Sequence, residues 1–146
     1  MPAIRGKVIA VCTSERKGEK KRPVPSVTLV PDLGVERDAH AGPWHRQVSL
    51  LAVESIAKMR AKGLSVGPGD FAENITVEGV DLVGLKPGDR LLAGEALLEI
   101  TQIGKECHNR CAIYYQAGDC VMPKEGVFAR VLRGGTLRAG DPVEKE

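Results

Sequence analysis

Three of the four cysteines, Cys107, Cys111 and Cys120, fall in one stretch, Gly104 to Arg133 (GKECHNRCAIYYQAGDCVMPKEGVFARVLR), with His108 and both tyrosines. A thiolate is a strong nucleophile and a soft metal ligand, so this grouping permits two chemistries. In the first, Cys107 is an accessible thiolate. Lys105, His108 and Arg110 are close to it in sequence, and positive groups that are also close in space lower a thiol pKa. Cys111 or Cys120 then acts as a resolving thiol by forming a disulfide. In the second, Cys107, His108, Cys111 and Cys120 form a metal site, since structural zinc takes four Cys or His ligands. Against zinc, adjacent Cys107 and His108 seldom bind one ion, and no paired Cys-x-x-Cys is present. The plainest alternative leaves Cys111 and Cys120 buried and inert, as small apolar residues.

A second concentration of chemistry lies upstream. Glu36, Arg37, Asp38, His40, Trp44, His45 and Arg46 place two histidines, two arginines and the sole tryptophan within eleven residues. Such a set suits a pocket for an anionic ring compound; the alternative is a surface loop whose charges face water. Before it runs SERKGEKKRPVP (14–25), with five basic and two acidic residues and two prolines. This reads as a solvated loop or as a cationic flap over an anionic ligand.

Short strands must position both groups. Residues 4–12 (IRGKVIAVC) read as an opening strand ending at Cys12, which is expected to be buried. VTLV and QVSLL read as strands on either side of the polar cluster, with a turn at Pro31 to Gly34. Val53 to Lys62 reads as the main helix, with Ile56 and Met59 on its apolar face and Gly63 as its stop. It is expected to pack over one end of a barrel. From residue 64 to 103 short apolar runs alternate with turns at Gly67–Gly69, Glu78–Gly79 and Pro87–Gly88–Asp89, a meander ending in ALLEITQI. A second, short helix is expected at Pro123 to Leu132, with Phe128 and Leu132 on one face. GGTLRAGDPVEKE closes the chain as a turn, a strand and a polar tail. The fold class is mostly β, a small irregular β-barrel with one main helix and one short helix, in a single domain over 1–146.

Composition agrees. Apolar residues are 42% and aromatics 3%, while 17 glycines and nine prolines favour many tight turns over a helical bundle. A net charge of +2 argues for no nucleic-acid partner. No apolar stretch is long enough for a membrane span or an export signal, so a cytoplasmic protein with reduced thiols is expected.

Taken in order, these segments resemble the MOSC domain, named for the C-terminal domain of molybdenum cofactor sulfurase. GEKKRPV resembles the family's basic-then-proline loop. GVERDAHAG with HRQVSLL is similar to its Gly-x-x-x-Asp-x-His-Ala-Gly segment and following strand. GDFAENITVEGVDLVGLKPGDRLLAGEALLEIT resembles its Phe-x-Glu-Asn and Gly-Asp-x-x-x-x-Gly stretch, and GVFARVLRGGTLRAGD its ending. Cys107 lies where the family carries its cysteine. Many relatives have a Pro-Arg-x-x-Cys loop; here it reads IGKEC, with Lys105 near the arginine's place.

The resemblance implies a barrel-like β fold and a role in molybdenum cofactor metabolism, through bound cofactor or through sulfur carried as a persulfide on Cys107. For an anionic pterin bearing phosphate, it implies Arg37, His40 and Arg46 at the phosphate or oxo groups, Asn74 at the pterin edge, and Lys105 and Arg130 as further contacts. Cys107 would ligate molybdenum, with Asp38 orienting a basic neighbour. Sulfur-transfer or cofactor-dependent activity is possible on this view, with donor and acceptor proteins as partners. A non-enzymatic delivery module for cofactor or metal is the alternative, with zinc as the alternative metal. A third reading is one component of a reductase for N-hydroxylated bases, whose electrons a partner must supply. A homodimer is compatible with an exposed barrel edge.

Overall fold

The computed structural model describes residues 5–16, 20–104 and 125–146. Among these described residues eleven strands and one helix of full length follow in order. They are β1 (Arg5–Thr13), β2 (Arg22–Val24), β3 (Val27–Val30), β4 (Gly34–Val35), β5 (Val48–Ala52), α1 (Val53–Ala61), β6 (Ile75–Glu78), β7 (Arg90–Ala93), β8 (Ala96–Ile103), β9 (Val127–Arg133), β10 (Gly135–Leu137) and β11 (Pro142–Lys145). Seven of these close a barrel in the order β1-β11-β7-β8-β9-β5-β6 and back to β1, with β2 added at the edge of β1. Closure leaves no barrel edge unpaired except where β2 ends the sheet. A three-stranded sheet, β10-β3-β4, packs Val27, Leu29, Val35 and Leu137 into the same core as the barrel interior.

All barrel pairings are antiparallel except β5 with β6, which run parallel. Parallel neighbours need a crossover, and α1 lies in that connection. Side chains alternate across the wall: Val48 and Leu50 face the barrel core, whereas Leu51 joins Ile56, Met59, Val66, Phe71 and Phe128 in a second apolar cluster. The helix therefore packs against β5 and β6, with Phe128 of β9 in the same apolar cluster.

Of the short helix expected at 123–132, residues 123–124 lie outside the described residues, Glu125 is helical, and 127–132 is strand. Val127–Arg133 is β9, paired with both β5 and β8. Val127, Ala129 and Val131 enter the barrel core while Phe128 turns outward to α1's cluster, a period of two. Phe128 and Leu132 are four apart, a spacing that fits one helix face and one strand face equally; β-branched and aromatic content decides for the strand. The other expected strands, the Pro31–Gly34 turn, the helix at 53–62 and the β7–β8 hairpin are present. LVGL (82–85) is a turn rather than an apolar strand. Among the described residues no helix is long and apolar enough to cross a membrane.

Candidate functional site

The site begins with a lysine that the sequence placed in a solvated loop. Lys21 is buried, and its Nζ lies 2.9 and 3.1 Å from the two Asp38 carboxylate oxygens, with neither side chain exposed. It also donates to Ser14 Oγ (3.0 Å) and sits 3.1 Å from His40 Nδ1. Gly69 brings the chain to this position. Its carbonyl accepts the Lys21 amide at 2.8 Å, its φ is +87°, and an added Cβ would collide with the Lys21 carbonyl. Only glycine fits such a left-handed close approach.

Asp38 is the centre of the network. It accepts the Ser14 amide at 3.0 Å on Oδ1 and the His40 amide at 3.1 Å on Oδ2. Burial alone raises its pKa, but the bonds from Lys21, Ser14 and Asn74 outweigh burial and lower it overall. The expected orienting role of Asp38 toward a basic neighbour is what this geometry shows, with Lys21 as that neighbour.

Asn74 lies beneath, fully buried. Its Oδ1 accepts from the Ser49 amide and hydroxyl at 3.0 and 3.1 Å, and its Nδ2 donates to the Cys12 carbonyl at 3.2 Å. Its amide is thus engaged within the protein and ties β1 to the start of β5.

His40, Trp44 and Arg46 continue the array outward. The His40 and Trp44 rings are stacked at 6.3 Å and 7°, and Trp44 Nε1 donates to the His40 carbonyl at 2.8 Å. The Arg46 guanidinium sits 5.9 Å from the Trp44 ring centre and 5.3 Å from that of Phe128, within cation–π range of both. Its Nε faces Gln102 Oε1 at 3.4 Å, and Gln102 Nε2 donates to the Gly104 carbonyl at 2.7 Å. The array thus ends where β8 runs out.

Two clefts flank it. One, of about 400 Å3, is lined by Thr13, Ser14, Glu15, Lys20, Arg22 and Arg37 among others. Arg37 is exposed and holds a left-handed φ of +67°, costly for a residue with a Cβ. The other, about 550 Å3, is bordered by Trp44, His45 and Arg130. Arg130 donates to its cross-strand neighbour Glu99 at 2.7 Å, so its charge is partly committed. Arg37 and Arg130 therefore belong to different clefts, whereas His40 and Arg46 belong to one array.

Cys107, His108, Cys111, Cys120 and Lys105 lie outside the described residues. Among those described, no group of three or more His, Cys, Asp or Glu could hold a metal ion. Cys12 is buried as expected, and burial first, then the nearby Glu73 charge, pushes its thiol up to about 12. Sequence reasoning missed Lys21 because five basic residues within seven positions, 16–22, conceal which one turns inward.

A closed, strand-built barrel with one helix agrees with what the comparisons find. Residues 36–144 match the MOSC domain family, and the chain belongs to that family. The fold is similar to YuaD from Bacillus subtilis (TM-score 0.81, 18% identity, covering 99% of this chain and 97% of that one). It is also similar to YiiM from Geobacillus stearothermophilus (TM-score 0.71, 20% identity, 97% and 75% covered) and YiiM from Escherichia coli (TM-score 0.67, 23% identity, 97% and 69% covered). No curated protein sequence matches the chain.

Proposed function

We infer that the protein binds the molybdenum cofactor through the array that runs from the Arg37 cleft, by way of Ser14, Lys21, His40, Trp44 and Arg46, to the end of β8. Membership of the MOSC family, which is associated with that cofactor, supports the reading. The observation that carries it is the continuity of the array: Ser14 both lines the cationic cleft and accepts from Lys21, and Gln102 links Arg46 to Gly104. Cys107 follows Gly104 by three residues.

The residues fit an anionic pterin in their chemistry. Lys20, Arg22 and Arg37 border one cleft and are held in no ion pair with a described residue. They suit a phosphate, for which arginine is a good partner. Arg46, backed by two aromatic rings, suits a second anionic or planar group. Cys107 supplies the soft donor that a molybdenum centre takes. When bound, the cofactor would supply oxo-transfer and redox chemistry. The chain's own residues bind and orient it.

A persulfide on Cys107 is the second use of the same array, favoured by the fixed Arg46 cation at the end of β8, because a nearby positive charge stabilises a sulfur anion. Delivery to or from partner proteins, rather than turnover, suits either cargo.

The test is anaerobic purification with elemental and mass analysis, followed by loading with molybdenum cofactor. Retained molybdenum in the wild type, lost in Cys107→Ser and in Arg37→Ala, supports cofactor binding. An added sulfur on Cys107 with no molybdenum retained moves the persulfide to first place. Stoichiometric zinc with three unreactive thiols would sink both.

A further inference from the structure

Three cations, with Glu15, line the cleft beside Ser14, and each is a chain neighbour of a buried ion pair. Lys20 and Arg22 flank Lys21, and Arg37 precedes Asp38. Exposure follows the same alternation: Lys20, Arg22 and Arg37 are exposed, whereas Lys21 and Asp38 are buried. Successive side chains of an extended chain point to opposite sides. With Lys21 turned inward at the entry to β2, its two neighbours turn out.

The cleft has two walls from different parts of the fold. Ser14, Lys20 and Arg22 belong to the β1–β2 hairpin, which pairs Thr13 with Arg22. Arg37 belongs to the loop after β4, a strand of the other sheet. Among the described residues β2 pairs with β1 and β4 with β3, so no strand pairing joins the walls. Asp38 joins them. Its Oδ1 accepts the Ser14 amide at 3.0 Å, and both of its oxygens meet Lys21 Nζ. Its Oδ2 accepts the His40 amide at 3.1 Å, which closes the loop after β4 on the same carboxylate. A backbone bond from the Ala39 amide to the Ser14 carbonyl, at 2.9 Å, runs beside it.

We propose that Asp38, anchored by Lys21, is a positioning residue for the phosphate cleft, fixing Arg37 across from Lys20 and Arg22. Neither member of the pair touches the ligand; both act through the cations beside them. Exposed like charges repel, and long side chains that must be gathered at each encounter lose affinity to the ordering this costs. A cross-link between the walls removes part of that cost in advance. This role rests on the phosphate reading of the cleft.

The test is titration calorimetry of the full chain with inorganic phosphate at low salt. The wild type should bind, and Arg37→Ala, which removes one cation, should bind at least tenfold more weakly. Asp38→Asn leaves all three cations in place, yet should also weaken binding at least tenfold. Leu98→Ala, a truncation in the barrel core, destabilises the fold by a different route and should leave affinity within twofold. Lys21→Met combined with Asp38→Asn should regain stability over Asp38→Asn alone, since no lone buried charge remains, without regaining affinity. Affinity that tracks stability across these variants overturns the role. Wild-type affinity in Asp38→Asn, with Arg37→Ala weakened, also overturns it and leaves the cleft reading standing. Equal affinity in the wild type and Arg37→Ala, or no binding by the wild type, removes the cleft reading and the role with it. Should Asp38→Asn not fold, Asp38→Glu, which keeps the carboxylate but lengthens the link between the walls, decides by the same measure.

Discussion

Lys21 Nζ meets both oxygens of Asp38, at 2.9 and 3.1 Å, inside a site where neither side chain touches solvent. Breaking such a pair by removing one partner leaves an uncompensated buried charge and costs about 3–5 kcal/mol. Lys21→Met and Asp38→Asn should each lower the unfolding free energy read from urea titration by that order, and the two together should cost less than their sum. The pH dependence follows from Asp38. Its folded pKa is below the ordinary 3.8, so its contribution is fully present above that value and is lost as pH falls through the folded pKa. In Lys21→Met this acid-side loss should flatten, which urea titrations from pH 5 downward would read.

Glu73 should give the opposite sign. It is fully buried, Thr76 Oγ1 donates to its Oε2 at 2.7 Å, and Oε1 has no hydrogen-bond partner among the described residues. Burial is the main cause and raises its pKa. A carboxyl raised on folding holds its proton more tightly in the native state, so stability is full below the unfolded value and falls as pH rises toward the folded one. Glu73→Gln keeps the shape and removes the titration. It should raise the melting temperature at neutral pH and leave it nearly unchanged near pH 4. An equal loss at both pH values would mean that the carboxylate itself is bonded in the native state.

Much of this was legible in the sequence, and the limits have physical causes. The strands VTLV, QVSLL and ALLEITQI and the helix at 53–62 announce themselves by local pattern and turn residues. VFARVL does not, because a strand buried on both faces, by the barrel core and by the α1 cluster, loses its polar alternation. Asp38, His40, Trp44 and Arg46 were legible as a group because they are near one another in sequence. Lys21 was not, since its burial depends on Gly69, some fifty residues away, and on a carboxylate in another loop. Asn74 is legible only as part of a motif, whereas its bonds to Ser49 and Cys12 depend on strands brought together by the fold.

Cys12 should be chemically silent in the native protein. Its thiol is fully buried and pushed up to about 12, so almost no thiolate forms at neutral pH to react. Native alkylation followed by peptide mapping should leave Cys12 unlabelled, whereas denaturation should expose it. Labelling of native Cys12 at a rate like that of free cysteine would show that β1 opens readily.

Arg37 should separate stability from binding. Its left-handed φ of +67° costs a residue with a Cβ roughly 1 kcal/mol, a cost that glycine does not carry. Its exposed guanidinium is paired with no described residue. Strain of this kind persists where something other than stability retains the residue. Arg37→Gly should therefore match or exceed the wild type in unfolding free energy read from urea titration, by up to about 1 kcal/mol. If the cleft it shares with Lys20 and Arg22 takes a phosphate, the same variant should weaken cofactor retention roughly tenfold or more, the loss of one charge-assisted contact of about 1.5–3 kcal/mol. Arg37→Lys, which keeps the charge and loses the planar fork, should fall between the two. Unchanged affinity in Arg37→Gly, measured by molybdenum retained after gel filtration, would place the phosphate elsewhere in the array and shift attention to Arg46.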